Sequence, residues 1–130
     1  MTALILDDSS TVRTKIEDLL LALHCSDLNI YQFENGNKAL EFFEENDVDI
    51  IFSAIEIEGM DGITFVDLIL RKDPDIVSKM FIVTSQVNTD HMHDIKDVGA
   101  KRFIKKPINN ESFTHLITAE INNILRKSLQ

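Results

Sequence analysis

Asp7 and Asp8 stand side by side just after a short apolar run. Two adjacent carboxylates make a hard-oxygen site that suits Mg²⁺, which takes one or two carboxylates and keeps several waters. Thr84 with Ser85 closes a second apolar run, and Lys106 follows a third. A hydroxyl and an ammonium together offer a donor and a compact positive charge to the oxygens of a phosphoryl group. A further apolar run ends at Ala54, which can neither ligate, attack nor accept a group. Singly these residues have bland readings: an aspartate favours a helix start, Thr84 could cap a helix, and Lys106 is one of many lysines. At the ends of successive apolar runs, they read together as one site with an inert centre.

The elements that must position them follow from hydrophobic periodicity. Val48 to Gly62 is apolar at almost every position in its first half, which suits a central parallel strand covered on both sides. Its second half is a loop carrying Gly59 and Gly62 that opens a helix. Thr2 to Leu6 forms the first strand, and a serine of the Ser9-Ser10 pair caps a helix marked by Val12, Ile16, Leu19, Leu20 and Leu23. Leu28 to Phe33 is the second strand, and Asn35-Gly36 turns it into a helix carrying Ala39, Leu40 and Phe43. Ile63, Val66, Ile69 and Leu70 mark the third helix, stopped near Asp73-Pro74. Met80 to Val83 is the fourth strand, and Met92, Ile95 and Val98 mark a helix ending at Gly99. Arg102 to Ile104 is the fifth strand, and the last helix carries Phe113, Leu116, Ile117, Ile121, Ile124 and Leu125. Five alternations of strand and helix predict one α/β domain over 1–130, with a parallel sheet and right-handed crossovers. Ligands of such sheets bind outside the carboxyl ends of the strands, where residues 7, 8, 54, 84 and 106 fall.

Composition narrows the function. The 130 residues are 44% hydrophobic and 27% charged, ordinary for a soluble domain. Thirteen basic against 22 acidic residues give a net charge of −9, which disfavours nucleic acid and anionic membranes as partners. Cys25 is the only cysteine, so no internal disulfide forms; a reducing cytoplasm and a packing role fit it. No signal-like segment opens the chain, and its apolar runs are too short to span a bilayer.

The chain resembles the receiver domain of bacterial two-component response regulators, in style the short, free-standing chemotaxis type. The resemblance covers essentially the whole length and rests on Asp7-Asp8-Ser9, Gly59-Met60-Asp61-Gly62, Thr84-Ser85 and Lys106-Pro107. It implies a doubly wound, flavodoxin-like three-layer sandwich whose five strands run in the order 2-1-3-4-5. It further implies Mg²⁺ on Asp7, Asp8 and the backbone carbonyl of Glu56. In the family, an aspartate after strand three takes a phosphoryl group from a histidine kinase or phosphotransfer protein. Thr84 and Lys106 match the residues that bind the phosphoryl oxygens, and Phe103 matches an aromatic that moves inward with Thr84 when the site is occupied. Glu56 and Gln86 match positions that modulate how long the group lasts. Output passes to a protein effector through the fourth helix, fifth strand and fifth helix, so the expected role is signalling by binding and not enzymatic turnover.

The family spacing counted back from Gly62 places the acceptor at residue 54, which is alanine here. Ser53 faces the other side of the strand by alternation, and Glu56 lies on the loop beyond. Glu58 stands where the family usually has proline. Ala54 therefore marks either a working receiver whose aspartate has been replaced or a natural pseudo-receiver that binds proteins without phosphorylation. The joint presence of Asp7, Asp8, Thr84 and Lys106 favours the first, with a weakened Mg²⁺ site. A flavin protein would suffer repulsion between Asp7-Asp8 and its phosphate, and an aspartate-based phosphatase would need a carboxylate at Ser9. A GTPase would need a glycine-rich phosphate loop. His91 and His93, two apart on a helix, do not face one another and are expected to be exposed.

Overall fold

The computed structural model describes the chain apart from residues 26, 58, 86–89 and 129–130. Its strands are β1 (Thr2–Leu6), β2 (Asn29–Phe33), β3 (Ile50–Ser53), β4 (Met80–Thr84) and β5 (Arg102–Lys105). They alternate with α1 (Ser10–Leu21), α2 (Gly36–Glu45), α3 (Gly62–Lys72), α4 (Asp90–Asp97) and α5 (Asn110–Ser128). The strands pair in parallel in the order β2-β1-β3-β4-β5. The expected α/β fold with a five-stranded parallel sheet in this order is therefore present.

Every residue of β3 and β4 is buried, which is why both read as unbroken apolar runs. Side-chain alternation divides the core in two. Ala3, Ile5, Phe52 and Phe81 face α1 and α5, meeting Ile16, Leu20, Phe113 and Ile117. Leu4, Leu6, Ile51 and Ile82 face the other way, against Ala39 of α2, Phe65 and Ile69 of α3, and Ile95 of α4. Cys25 is half-buried against the first of these clusters, as a packing residue would be.

Helix starts follow local chemistry. Ser9 caps α1 by accepting the Val12 N–H at 3.3 Å, and Asn35 caps α2 by accepting the Asn37 N–H at 2.8 Å. Asp61 accepts the Thr64 N–H at 2.8 Å and caps α3. The chain does not go straight from α3 to β4. Pro74–Lys79 forms a 3₁₀ turn, with proline at its start, the Asp73 carboxylate accepting the Asp75 N–H at 3.2 Å, and Ile76 buried beneath it.

At the far edge, Arg102 reaches from β5 to α5. Its guanidinium donates to Glu120, which is 7% exposed, and to the Ser78 carbonyl at 2.8 Å, while lying over the Phe81 ring. This joins β5, the 3₁₀ turn and α5 into one unit.

Candidate functional site

The site forms where β1, β3, β4 and β5 end. Asp7 directly follows β1 and is only 1% exposed. All its polar groups are engaged: its N–H donates to the Phe33 carbonyl at 3.1 Å, and its carbonyl accepts from Arg13 Nη1 at 2.6 Å. Its Oδ1 accepts the Ser9 N–H at 2.9 Å, and its Oδ2 accepts Lys106 Nζ at 2.8 Å. Asp8, next in the chain, is exposed.

Lys106 is placed by the sheet. Its N–H donates to the Thr84 carbonyl at 2.9 Å, continuing the β4–β5 pairing one residue past the strand. Burying a charge is tolerable when it is paired and its remaining positions are bonded, and removing one partner of such a pair is costly. Lys106→Met should therefore destabilise the fold by about 2 kcal/mol, below the usual range because Lys106 is partly exposed. Adding Asp7→Asn should recover about half of that, as read from urea unfolding of the single and double variants. Strictly additive losses would mean that the pair contributes no coupling.

Ala54 is held through its backbone on both sides. Its N–H donates to the Leu6 carbonyl at 2.9 Å, and its carbonyl accepts the Ser53 hydroxyl at 2.9 Å. That bond accounts for Ser53, which is fully buried and does not line the site. The following loop returns closely: Gly62 N–H donates to the Ile55 carbonyl at 2.6 Å. A side chain at residue 62 would meet the carbonyl oxygens of Ala54 and Ile55, so only glycine permits this approach. Gly59 takes φ +88°, and its Cα-H side lies against the Asn35 side chain.

A cleft of about 140 Å³ opens here, lined by Asp8, Ala54, Glu56, Thr84, Ser85 and Lys106 among others. The fold thus gathers Asp7, Asp8, Ala54, Glu56, Thr84 and Lys106 at one place. The Glu56 carboxylate turns aside, 3.5 Å from His91 Nδ1 on α4. His93 lies 3.4 Å from Asp97, so the two histidines engage different carboxylates and both are exposed. Phe103 is not in the cleft. It pairs in register with Ile82, is half-buried, and has the Lys96 ammonium 5.4 Å from its ring centroid. Gln86 and Glu58 lie outside the described residues.

The oxygens of Asp7, Asp8 and the Glu56 carbonyl are the hard donors that Mg²⁺ takes. Among the described residues, no three His, Cys, Asp or Glu side chains converge to hold a metal. With alanine at residue 54, two carboxylates would be left to hold a cation here, and one of them is bonded to Lys106.

The family profile described as response regulator receiver domain matches residues 3–118. The chain belongs to that family. Receiver domains are modules of two-component signalling. This one is 36% identical over 123 residues to the cyclic di-GMP phosphodiesterase of Thermotoga maritima, covering 95% of this chain and 32% of that protein. It is 27% identical over 121 residues to the DNA-binding transcriptional regulator NtrC of Klebsiella pneumoniae, covering 93% of this chain and 25% of that protein. The chain therefore spans a third or less of the length of these relatives. It is 29% identical over 119 residues to the chemotaxis protein CheY of Bacillus subtilis, covering 92% of this chain and 96% of that one. Among solved structures, a signal receiver domain of an HD domain-containing protein from Pseudomonas fluorescens superposes with TM-score 0.81 at 16% identity, covering 99% of this chain and 92% of that one. CheY4 of Vibrio cholerae gives 0.77 at 21% identity, covering 91% and 96%. At such identities the structures speak for the receiver fold alone. No helix among the described residues is long and apolar enough to cross a membrane.

Proposed function

We propose that this receiver domain takes no phosphoryl group at residue 54 and acts by binding other proteins, as a signalling module and not an enzyme. The observation that carries this reading is Ala54 itself. It lines the cleft beside Asp8, Thr84 and Lys106, with its backbone held at both N–H and carbonyl, and it has no nucleophilic atom. Among the described residues of that loop Glu56 lines the cleft, and its contact with His91 points its carboxylate toward α4. The retained arrangement of Asp7, Asp8, Thr84 and Lys106 supports the view that Ala54 occupies the place of an aspartate. Mg²⁺, held by Asp7, Asp8 and the Glu56 carbonyl, would neutralise charge in the cleft, more weakly than with a third carboxylate.

A histidine kinase or phosphotransfer protein is the upstream partner this reading assigns, and α4, β5 and α5 the surface for an effector. That surface includes Phe103 beneath Lys96, and a groove of about 240 Å³ lined by Phe103, Pro107, Phe113 and Leu116. A ligand shifts an equilibrium only by its differential affinity for the two states, and Thr84 and Phe103 gain no new contact without a phosphoryl group. The chain accordingly holds the unphosphorylated arrangement.

Incubation with acetyl phosphate and Mg²⁺, followed by intact mass measurement, tests the proposal. No mass is gained if residue 54 is the acceptor position. A phosphoryl adduct on any carboxylate of this chain would overturn the reading.

A further inference from the structure

The two edges of the sheet are unlike. β5 reads Arg-Phe-Ile-Lys, with Lys101 before it and Lys106-Pro107 after it. Charges and proline of this kind discourage a sheet edge from pairing with another chain. β2, at the opposite edge, reads Asn-Ile-Tyr-Gln-Phe and has neither charge nor proline.

The backbone of β2 can be followed group by group. The Asn29 N–H donates to the Met1 carbonyl at 2.8 Å, and the Phe33 carbonyl accepts the Asp7 N–H at 3.1 Å. In a parallel strand both backbone groups of one residue point to the same side, and the side alternates along the chain. Asn29, Tyr31 and Phe33 therefore face β1, whereas Ile30 and Gln32 turn their N–H and C=O outward. Among the described residues no hydrogen bond reaches those outward groups.

Beside this edge lies an aromatic ledge. Tyr31 is 43% exposed, with its ring centroid 4.5 Å from that of Phe42, and Phe33 is 5.3 Å from Phe42 on the other side. Acidic residues frame it. Asp27 and Glu34 bracket the strand, and Glu41 and Glu45 fall within one helical turn of Phe42; Lys38 and the Met1 amino group, which donates to the Asp27 carbonyl at 3.0 Å, are countercharges.

We infer that β2 is a docking edge for an extended segment of a partner protein, apolar at alternate positions and basic at both ends. The segment pairs with the outward backbone groups of Ile30 and Gln32, which supply affinity as strand addition does. Its apolar side chains on one face rest on Tyr31 and Phe42. Its basic ends meet Asp27 and Glu34, in either strand direction. A second copy of this chain is the poorer occupant. Antiparallel self-pairing about Tyr31 brings Asp27 of one copy toward Glu34 of the other at both ends, and like charges across a strand pair destabilise it. The net charge of −9 adds to the repulsion. The surface is independent of the chemistry at residue 54.

The probe is a short synthetic peptide of alternating valine and threonine with lysines at both ends, titrated into ¹⁵N-labelled chain. The expected result is perturbation confined to residues 28–34 and α2, with amide exchange at Ile30 and Gln32 slowed at least about tenfold at saturation. The same peptide with glutamates at its ends should bind about tenfold more weakly. Tyr31→Phe should bind as the parent does. Tyr31→Lys, which places a charge on the edge, should lose the interaction while the chain still unfolds in one cooperative transition, a few degrees lower for the lost Phe42 contact. Perturbation centred on β5 or α4, equal binding of both peptides, or no binding at millimolar peptide would each overturn the inference. So would protection of Ile30 and Gln32 in concentrated chain without peptide, which would make a second copy the occupant.

Discussion

Ala54→Asp should let the chain take a single phosphoryl group per molecule, where the parent is expected to take none. The backbone at residue 54 is already anchored to Leu6 and Ser53, so the substitution introduces a carboxylate without moving the strand end. That carboxylate enters a cleft bounded by Asp8, Thr84 and Lys106. Its oxygen would attack phosphorus as the acetate of acetyl phosphate leaves, with Lys106 offsetting charge on the transferring group; Mg²⁺, where Asp7, Asp8 and the Glu56 carbonyl held it, would supply further positive charge. Thr84, which lines the same cleft, would contact the product oxygens. Intact mass before and after treatment reads the result, and the adduct should be labile to base and hydroxylamine as an acyl phosphate is. The same variant carries a cost without metal. A third carboxylate beside Asp7 and Asp8 crowds like charges, so the metal-free variant should be about 1 kcal/mol less stable than the parent. Millimolar Mg²⁺ should reverse that difference in thermal unfolding. A variant that takes no phosphoryl group would show that the acceptor position is elsewhere, or that the chain has lost the chemistry beyond residue 54.

Gly62→Ala should be the most damaging single methyl in the chain. The added carbon would lie 2.5 Å from the Ile55 carbonyl oxygen and 2.7 Å from the Ile55 Cα, and it would also meet the Ala54 carbonyl oxygen. These are backbone atoms at the end of a buried strand, so no side-chain rotation relieves the clash. A destabilisation of about 3 kcal/mol or more is expected, read as a shift in the urea midpoint. The loop shift that relieves it moves residues 54 and 55, so Gly62→Ala combined with Ala54→Asp should also accept phosphoryl poorly. An unchanged midpoint would mean that the loop approaches the strand less closely than described.

The parts of this molecule that were legible in its sequence are those governed by period and by position along a strand. The apolar runs at β3 and β4 announce burial on both faces because both faces are in fact covered. Asp7, Asp8, Ala54, Thr84 and Lys106 could be grouped because each sits at a strand end, and parallel strands bring their ends to one edge of the sheet. What could not be read depends on where long side chains go. Arg102 looks like a surface residue of an edge strand, yet it bonds Glu120 and Ser78 across the α5 face. Glu56 lines the cleft, where its loop position puts it, but that its carboxylate turns to His91 could not be read. The 3₁₀ turn at Pro74–Lys79 is too short for periodicity, and only the buried Ile76 betrays it. That Lys106 bonds Asp7 directly is a matter of reach and rotamer, which spacing does not encode.

The Asp7–Lys106 bond joins residues 99 apart in sequence, so it closes most of the chain into one loop. A contact between the first strand end and the last can form only after the sheet between them is assembled, since closing so long a loop early is entropically unfavourable. Its stabilisation then belongs to the native side of the folding barrier. In kinetic terms, Lys106→Met should leave the refolding rate almost unchanged and speed unfolding about 30-fold, the whole of a loss of about 2 kcal/mol. Stopped-flow refolding and unfolding limbs separate the two, and a slowed refolding limb would place the pair in the folding nucleus instead. On this account the pair governs how long the strand ends stay gathered once formed, and the rate at which they gather is set by the apolar strands.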